Sequence, residues 1–549
     1  MLTVQTSSQP QGAAAPAPAG PSELYPRRWL ALAVLLTGLF MGILDTSIVN
    51  VALPTIRNSV HASEATLAWI VSGYALAFGL VLIPSGRIGD RFGHKRIFVV
   101  GLVIFTLSSV ACGLSQSSTE LVVARVIQGL GGGIFFPAVS ALIQIMFPPK
   151  ELGRAFSFLG VTIGVSVAIG PMTGGLLIQA FGSTNGWRSI FFVNLLVGVI
   201  AFAAALRVLP SAAIARKLSG DLFGLLLATG ALTALLVPLI EGQEDGWPLW
   251  TYLSMAGAVV LFILFAFWER RVARGASEPL VPPHLFSHPS FTGGVSLALV
   301  YFASFTGIFF VVSLLWQAGL RHSALASGLT TFPFSIGVIV GASQSTRLVQ
   351  WLGRTTLSIG TGLLSAGLVV LCLVIHAVPT QELTNWDLLG PLFVVGVGSG
   401  LFIAPNSRFI IATVTRSEAG AASGVIGTMQ RIGSAIGVAV VASVLFGALP
   451  AAFTPSKTQT AQIIRDHLHD GPAAIKQAIT DAADHNLAAG YGHAAADALL
   501  ICAGLAAAAF LLVFALPRRV TPPGPPATQA PAVTATGNDR QDQARAEPV

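Results

Sequence analysis

Long apolar runs, each about as long as a membrane is thick, recur from one end of this chain to the other. Two examples are "LAWIVSGYALAFGLVLIP" and "IFVVGLVIFTLSSVACGL". A helix needs roughly 20 apolar residues to cross the hydrocarbon core, and a helix satisfies its own backbone hydrogen bonds there. Only 10% of the 549 residues are charged, against about 25% in soluble domains. The sequence therefore predicts an all-α polytopic membrane protein.

Fourteen of these runs are predicted as transmembrane helices. They lie near residues 29–52, 66–85, 97–115, 119–143, 153–180, 188–208, 221–241, 249–268, 292–316, 325–348, 355–377, 386–411, 419–449 and 494–517. Arginine and lysine concentrate in the loops on one side, which the positive-inside rule assigns to the cytoplasm. Both termini are therefore expected to be cytoplasmic.

A shift of 267 residues brings part of the chain onto itself, since "GLGGGIF" (129–135) matches "GVGSGLF" (396–402). Either glycine-rich helices match by chance, or two six-helix halves arose by duplication. Parallel repeats of this kind place a substrate site between the halves near mid-membrane. The predicted organisation is a disordered tail (1–26), a six-helix half (27–210), two inserted helices (211–275), a second half (276–519) with an outer loop at 450–490, and a disordered tail (520–549).

The carboxylate of Asp45 and the guanidinium of Arg125 are predicted to lie deep inside spans. Asp45 falls in the run 29–52 and Arg125 in the run 119–143, at similar depths when each residue rises 1.5 Å. An intramembrane charge costs at least ~2.5–3.5 kcal/mol and is functional by default. The two are expected to pair, so that protonation of Asp45 changes the partner of Arg125. The alternatives are a structural hydrogen bond for Asp45 and a bridge to backbone carbonyls for Arg125. Gln128, one turn away, either joins this network or packs.

The motif "GRIGDRFGHKR" (86–96) is predicted to form a cytoplasmic loop between the second and third helices. The positive-inside rule accounts for its basic residues, but not for Asp90. A carboxylate is stabilised beside a helix N-terminus, and Gly86 and Gly93 permit a tight backbone. The alternative is an incidental acid in a basic loop.

Four motifs together resemble the major facilitator superfamily, in its fourteen-helix drug:proton antiporter branch. They are "LDTSIVNVALP" (44–54), "GRIGDRFGHKR" (86–96), "RVIQGLGGG" (125–133) and "GVSVAIGPMTGG" (164–175). The resemblance implies a proton-coupled exporter that works by alternating access. It implies proton coupling by Asp45 and Arg125, and a gating loop in which Asp90 docks against a helix of the other half. The gating residues it implies are Gly86, Asp90, Arg91, Gly93 and Arg96, with Arg91 and Arg96 as neighbours of Asp90.

The remaining candidates come from a glycine pattern and from polar and aromatic residues within spans. The antiporter-type motif of the fifth helix provides either a bendable interface or ordinary small-residue packing; its residues are Gly164, Gly170, Pro171, Gly174 and Gly175. Arg431 replaces Gly164 under the repeat, and it either faces a cavity or extends to the membrane surface. Polar and aromatic residues within spans either line a cavity or anchor the interfaces; they are Asn50, Trp69, Tyr74, Gln128, Tyr301, Phe305, Trp316, Asn406, Gln430 and Arg431.

Other classes of protein lack support. The sequence has no phosphate-binding loop, no hydrolase motif and no zinc or disulfide spacing, so neither an enzyme nor a cofactor is expected. His467 and His469 are predicted to lie on an exposed amphipathic helix rather than at a metal site. The expected partners are protons, lipid and an amphipathic small molecule, without nucleic acid, for a monomer in a bacterial cytoplasmic membrane. Export of a lipid or metabolite is an alternative, as is a non-transporting sensor on the same scaffold.

Overall fold

A computed structural model describes residues 25–62, 64–182, 185–211, 221–242, 246–275, 279–411, 414–415, 418–448, 457–466 and 472–517. Over these residues every regular element is helical, so the all-α prediction is confirmed. The predicted tails lie outside this part of the chain apart from residues 25 and 26, as do His467 and His469.

Sixteen α-helices follow one another through the described ranges. They are α1 (Arg28–Val60), α2 (Glu64–Phe92), α3 (His94–Leu114), α4 (Ser118–Met146), α5 (Pro149–Phe181), α6 (Gly186–Val208), α7 (Leu222–Glu241), α8 (Leu249–Ala273), α9 (Pro289–Leu314), α10 (Ala324–Thr330), α11 (Phe332–Leu352), α12 (Thr355–Ala377), α13 (Asn385–Ile411), α14 (Ala419–Ala448), α15 (Lys457–Asp466) and α16 (Pro472–Val513). Thirteen described helices are long and apolar enough to cross a membrane. The remaining predicted span, 221–241, corresponds to a shorter apolar helix at Phe223–Leu239.

The ends of several helices follow from local sequence. Ser117 caps α4 by accepting a hydrogen bond from the backbone N–H of Glu120, and the Glu120 carboxylate accepts one from the backbone N–H of Gln116. Ser117 thus satisfies one of the N–H donors that the first turn leaves free. Asp221 and Ser323 cap α7 and α10 by accepting from the backbone N–H groups of Gly224 and Ala326, respectively.

Several boundaries differ from the sequence prediction, and α1 extends to Val60, past the predicted residue 52. The motif 86–96 is not an extended loop, because α2 continues to Phe92 and α3 begins at His94. Gly93 alone separates them, with a φ of 95° that favours glycine. The run 325–348 divides into α10 and α11, because Pro333 has no N–H to bond to the carbonyl of Leu329. The last helix begins at Pro472, far before the predicted residue 494.

The two sets of six helices pack in the same pattern. In the first set α1 contacts α5 and α6, and α4 contacts α2 and α3. In the second set α9 contacts α14 and α16, and α13 contacts α11 and α12. The inserted helices α7 and α8 pack on each other, and α7 reaches α2 and α14. The halves meet where α2 and α4 contact α14, and where α5 contacts α11 and α13.

We call the end of the bundle at which α1 begins the inner end. Here the halves are joined by side chains as well as by helix packing. Gln144 of α4 donates to the carbonyls of Ile411 (3.3 Å) and Val414 (3.2 Å). Ser157 of α5 lies 3.1 Å from the hydroxyl of Ser345 on α11. The inner end is therefore closed in this conformation.

Candidate functional site

Asp45 and Arg125 form an ion pair in the interior of the first half. The Arg125 Nη1 lies 2.5 Å from the Asp45 Oδ2, and the two side chains are 0% and 1% exposed. Glycines on α4 allow α2 to approach closely beside this pair, because a Cβ at Gly129 would lie 2.3 Å from the carbonyl oxygen of Tyr74. The helices α2 and α4 therefore pack closely, and the Arg125 Nε donates to the carbonyl of Ile70 at 3.1 Å.

Two amides complete the hydrogen bonds of Asp45. The side-chain nitrogens of Gln128 and Asn194 each donate to the Asp45 Oδ1 at 2.9 Å. With Arg125 on Oδ2, three donors converge on one carboxylate, which while ionised has acceptor oxygens and no hydrogen to donate. A proton on Asp45 would compete with these donors, so protonation requires that the group rearrange.

Asn194 is a member of this group that the sequence prediction missed. It lies on α6, and its Nδ2 also donates to the hydroxyl of Ser109 on α3 at 3.0 Å. That hydroxyl donates in turn to the carbonyl of Phe191 at 2.9 Å. A lone asparagine in an apolar run was the available signal, but only the fold brings it to Asp45.

The guanidinium of Arg125 has neighbours besides its counter-ion. Its Nη1 donates to the Gln128 Oε1 at 2.7 Å, so Gln128 belongs to the network. The ring of Tyr74 lies 4.1 Å from the guanidinium carbon. The Tyr74 hydroxyl donates to the carbonyl of Gly42 on α1 at 3.2 Å. Breaking a buried pair by removing one partner typically costs 3–5 kcal/mol, so the site favours states in which both ions are satisfied.

Asp90 joins the two halves at the inner end. Its Oδ1 and Oδ2 accept the backbone N–H groups of Gly420 (3.0 Å) and Ala421 (3.1 Å) in the first turn of α14. These are N–H groups that a helix leaves without partners, and the helix dipole favours an anion there. A Cβ at Gly86 would lie 2.1 Å from the carbonyl oxygen of Gly420. We call this contact of Gly86 and Asp90 with Gly420 and Ala421 the α2–α14 junction.

The prediction that Arg91 and Arg96 are neighbours of Asp90 is wrong. Arg91 and Arg96 are exposed, and Arg91 lies over the ring of Phe92 at 5.0 Å. His94 is the neighbour instead, with its Nε2 3.1 Å from the Asp90 Oδ1. Asp90 and His94 are four residues apart across the Gly93 break, so the side chains meet on one face while the arginines point outward.

The glycine motif of α5 contacts both halves. A Cβ at Gly170 or Gly174 would collide with Ser47 or Ile48 of α1. Gly164, Pro171 and Gly175 instead face the second half, where they contact Val338 of α11, Gly328 of α10 and Leu325 of α10, respectively. The motif thus packs α5 at the interface on both of its sides.

Most of the proposed cavity-lining residues of the second half are packed in its core. Tyr301 stacks on Phe402 with centroids 4.0 Å apart and on Phe305 at 5.6 Å. Trp316 donates to the Asn385 side chain at 3.0 Å, and Asn406 donates to the carbonyl of Gly294 at 3.1 Å. All four predicted residues, Tyr301, Phe305, Trp316 and Asn406, are buried. Periodicity cannot separate such core positions from a cavity wall, since both face inward.

The other candidates are dispersed. Trp69 is exposed, and the side chain of Asn50 lies outside the described residues. Gln430 lines a small cavity between the halves, formed by α1, α4, α5, α13 and α14. Arg431 lies beside it, with its guanidinium carbon 4.0 Å from the centroid of the Phe78 ring.

Comparison with known proteins gives consistent matches. Residues 35–438 match the Major Facilitator Superfamily. The chain is 36% identical over 451 residues to the probable actinorhodin transporter of Streptomyces coelicolor, which covers 82% of this chain and 78% of that one. It is 34% identical over 444 residues to the tetracenomycin C resistance and export protein of Streptomyces glaucescens, covering 80% and 79%. A solved structure of the human organic anion transporter MFSD10 is similar with a TM-score of 0.59, at 14% identity and with 89% and 100% covered. At that identity the likeness concerns the fold alone.

Proposed function

Since the chain belongs to the major facilitator superfamily and is a membrane transporter rather than an enzyme, we propose that it is a proton-coupled antiporter that exports antibiotics, drugs or similar amphipathic molecules. The observation that carries the proposal is the carboxylate of Asp45, which is buried among three donors within apolar spans. Intramembrane acids with a mobile cationic partner are typical of proton relays.

The proposed cycle begins when Asp45 takes up a proton. The neutral carboxyl loses most of its attraction for Arg125, whose guanidinium keeps only the Gln128 Oε1 and the carbonyl of Ile70 as acceptors. An uncompensated buried charge is unfavourable, so protonation favours a conformation in which Arg125 finds another partner. A proton can bias the equilibrium only through such a difference between the two states.

The α2–α14 junction supplies the proposed gate. With the inner end facing the cytoplasm, the hydrogen bonds of Asp90 to Gly420 and Ala421 hold the cytoplasmic ends of the halves together. Opening toward the cytoplasm requires these bonds to break. The transporter would then alternate by rocking one half against the other around a site near mid-membrane.

The relatives support the cargo class, because the two described above are named for transport or export of actinorhodin and tetracenomycin C. We propose that the chain acts as a monomer in a bacterial cytoplasmic membrane, with both termini cytoplasmic. The proton gradient is its only proposed energy source, without a bound cofactor.

The test compares the wild type with Asp45→Asn in inverted vesicles under an imposed pH gradient. The asparagine keeps the size of the side chain and can still accept a hydrogen bond from Gln128, but it cannot carry a proton. We expect Asp45→Asn to lose pH-driven uptake of a panel of amphipathic dyes and antibiotics while binding of those compounds is retained. Asp481→Asn, at an exposed position of α16, is the matched control and should transport normally.

Normal pumping by Asp45→Asn would show that Asp45 is not the proton carrier. Binding without flux in the wild type would favour a sensor, and flux of lipids or metabolites but not of the drug panel would favour the alternative cargo.

A further inference from the structure

Arg431 places a positive charge near the middle of the membrane, at the interface of the two halves. It lies about 18 Å along α14 from Ala419, at 1.5 Å per residue, in a hydrocarbon core roughly 30 Å thick. Its guanidinium carbon lies 4.0 Å from the centroid of Phe78 on α2. The side chain is partly exposed, unlike that of Arg125.

This cation lacks the compensation that Arg125 has. Within the described part of the chain, Arg431 takes part in no ion pair and makes no side-chain hydrogen bond. Arg125, by contrast, bonds to Asp45, Gln128 and a backbone carbonyl. A guanidinium presents five N–H donors, and ionisable residues inside membranes almost always pair or face a cavity. An anion that enters from outside the chain would supply the missing acceptor.

The internal repeat indicates that packing does not require this charge. A shift of 267 residues superposes Gly164 on Arg431. A shift of 260, which aligns "RIGDRFGH" with "RLVQWLGR", superposes Phe78 on Val338. The contacts match as well, because a Cβ at Gly164 would lie 2.5 Å from the Val338 Cγ1. The contact between α5 and α11 is thus formed by glycine against valine, whereas the equivalent contact between α14 and α2 has arginine over an aromatic ring.

We propose that Arg431 binds an anionic group of the exported molecule, a carboxylate or phenolate, while an aromatic body packs against the partly exposed ring of Phe136. Phe136 lies 5.5 Å from Phe78 and lines the same small cavity as Gln430. The proposal rests on the proposed export function, and it names acidic aromatic compounds as the preferred cargo.

Aromatic rings connect this position to the ion pair of the first half. The centroids of Phe78 and Tyr74 lie 5.9 Å apart, and Tyr74 lies 4.1 Å from the guanidinium carbon of Arg125. Two aromatic rings therefore separate an anion at Arg431 from the Asp45–Arg125 pair. Because the surroundings have a low dielectric constant, electrostatic interactions act over longer distances there.

The test uses two dyes with the same xanthene core, anionic fluorescein and cationic rhodamine 6G, and the purified full-length protein. Fluorescence anisotropy measures the binding of each dye to the wild type, Arg431→Gln, Arg431→Lys and the control Arg347→Gln, whose side chain is exposed on α11. We expect the wild type to prefer fluorescein. Arg431→Gln should bind fluorescein at least about tenfold more weakly, as expected when a charge-assisted hydrogen bond is lost. It should bind rhodamine 6G unchanged or more tightly, while Arg431→Lys keeps the anionic preference and Arg347→Gln resembles the wild type.

Three results would overturn the inference: no binding of fluorescein by the wild type, unchanged fluorescein binding by Arg431→Gln, or an equal loss of both dyes, which would indicate a structural role. Proton-driven flux in vesicles separates this inference from the proposed function. If the wild type exports rhodamine 6G but not fluorescein, the proposed export function is supported and the anion site is refuted. If fluorescein binds through Arg431 without any flux, the anion site is supported and the proposed export function is refuted.

Discussion

Replacing Asp90 by alanine should open the inner end of the transporter. The substitution removes both acceptors of the Gly420 and Ala421 N–H groups and the anion at the N-terminus of α14. Hydrogen bonds to charged groups contribute about 1.5–3 kcal/mol each. The lower figure gives about 3 kcal/mol for the two, which is about a hundredfold change in an equilibrium constant. A minor state populated at 1% or so would then become comparable to the closed one.

Spin labels report this change directly. One label replaces exposed Arg96 on α3 and the other replaces exposed Arg347 on α11, so that each half carries one near the inner end. Cys372 is replaced by alanine, while Cys112 and Cys502 are buried and remain. Pulsed electron paramagnetic resonance should show mainly short distances in the wild type and a substantial longer population in Asp90→Ala.

The control for this measurement is Asp481→Ala, which removes an exposed carboxylate far from the α2–α14 junction. It should leave the distances unchanged. Identical distance distributions in Asp90→Ala and the wild type would refute the assignment of Asp90 as the group that holds the inner end closed.

Two further substitutions test the packing and the polar network. Asn194→Leu removes one of the three donors to Asp45 and also the amide that donates to the Ser109 hydroxyl, which keeps its bond to the carbonyl of Phe191. We expect a loss of about 1–3 kcal/mol in stability together with slower proton-driven flux. An unchanged melting temperature in detergent and unchanged flux would show that this amide is dispensable. Gly129→Val places a Cβ 2.3 Å from the Tyr74 carbonyl oxygen, which forces α2 and α4 apart. We therefore expect size-exclusion chromatography to show that this variant is poorly folded. Gly257→Val, at a position with open space, should behave as the wild type.

The membrane helices could be predicted from the sequence because the length and apolarity of a span are fixed by the bilayer rather than by tertiary contacts. Where a helix leaves the lipid, that constraint ends. The polar motif after Pro84 therefore remains helical to Phe92, although its composition suggested a loop. The break at Thr331 is decided by a single missing N–H, that of Pro333, which a hydropathy pattern does not register.

The ion pair was predictable because charge makes its residues exceptional, and Gln128 was a candidate because it lies one turn from Arg125. Asp45 and Arg125 are costly in lipid and stand out in any apolar run. Asn194 and His94 do not, because their importance comes from neighbours contributed by other helices. For the same reason Tyr301 was indistinguishable from a cavity residue, although its ring is stacked on Phe402 in the core.

The side chains that hold Asp45 all belong to the first six helices, from α4 and α6. The place where a proton would be taken up is thus buried within the first set of six helices, whereas the cavity at Gln430 is lined by helices of both sets. A proton and an exported molecule would bind at separate sites. Each would affect the binding of the other through the conformation of the helices between the two sites. Substitutions in the lining of the cavity at Gln430 can then change which molecules are exported without altering the residues around Asp45.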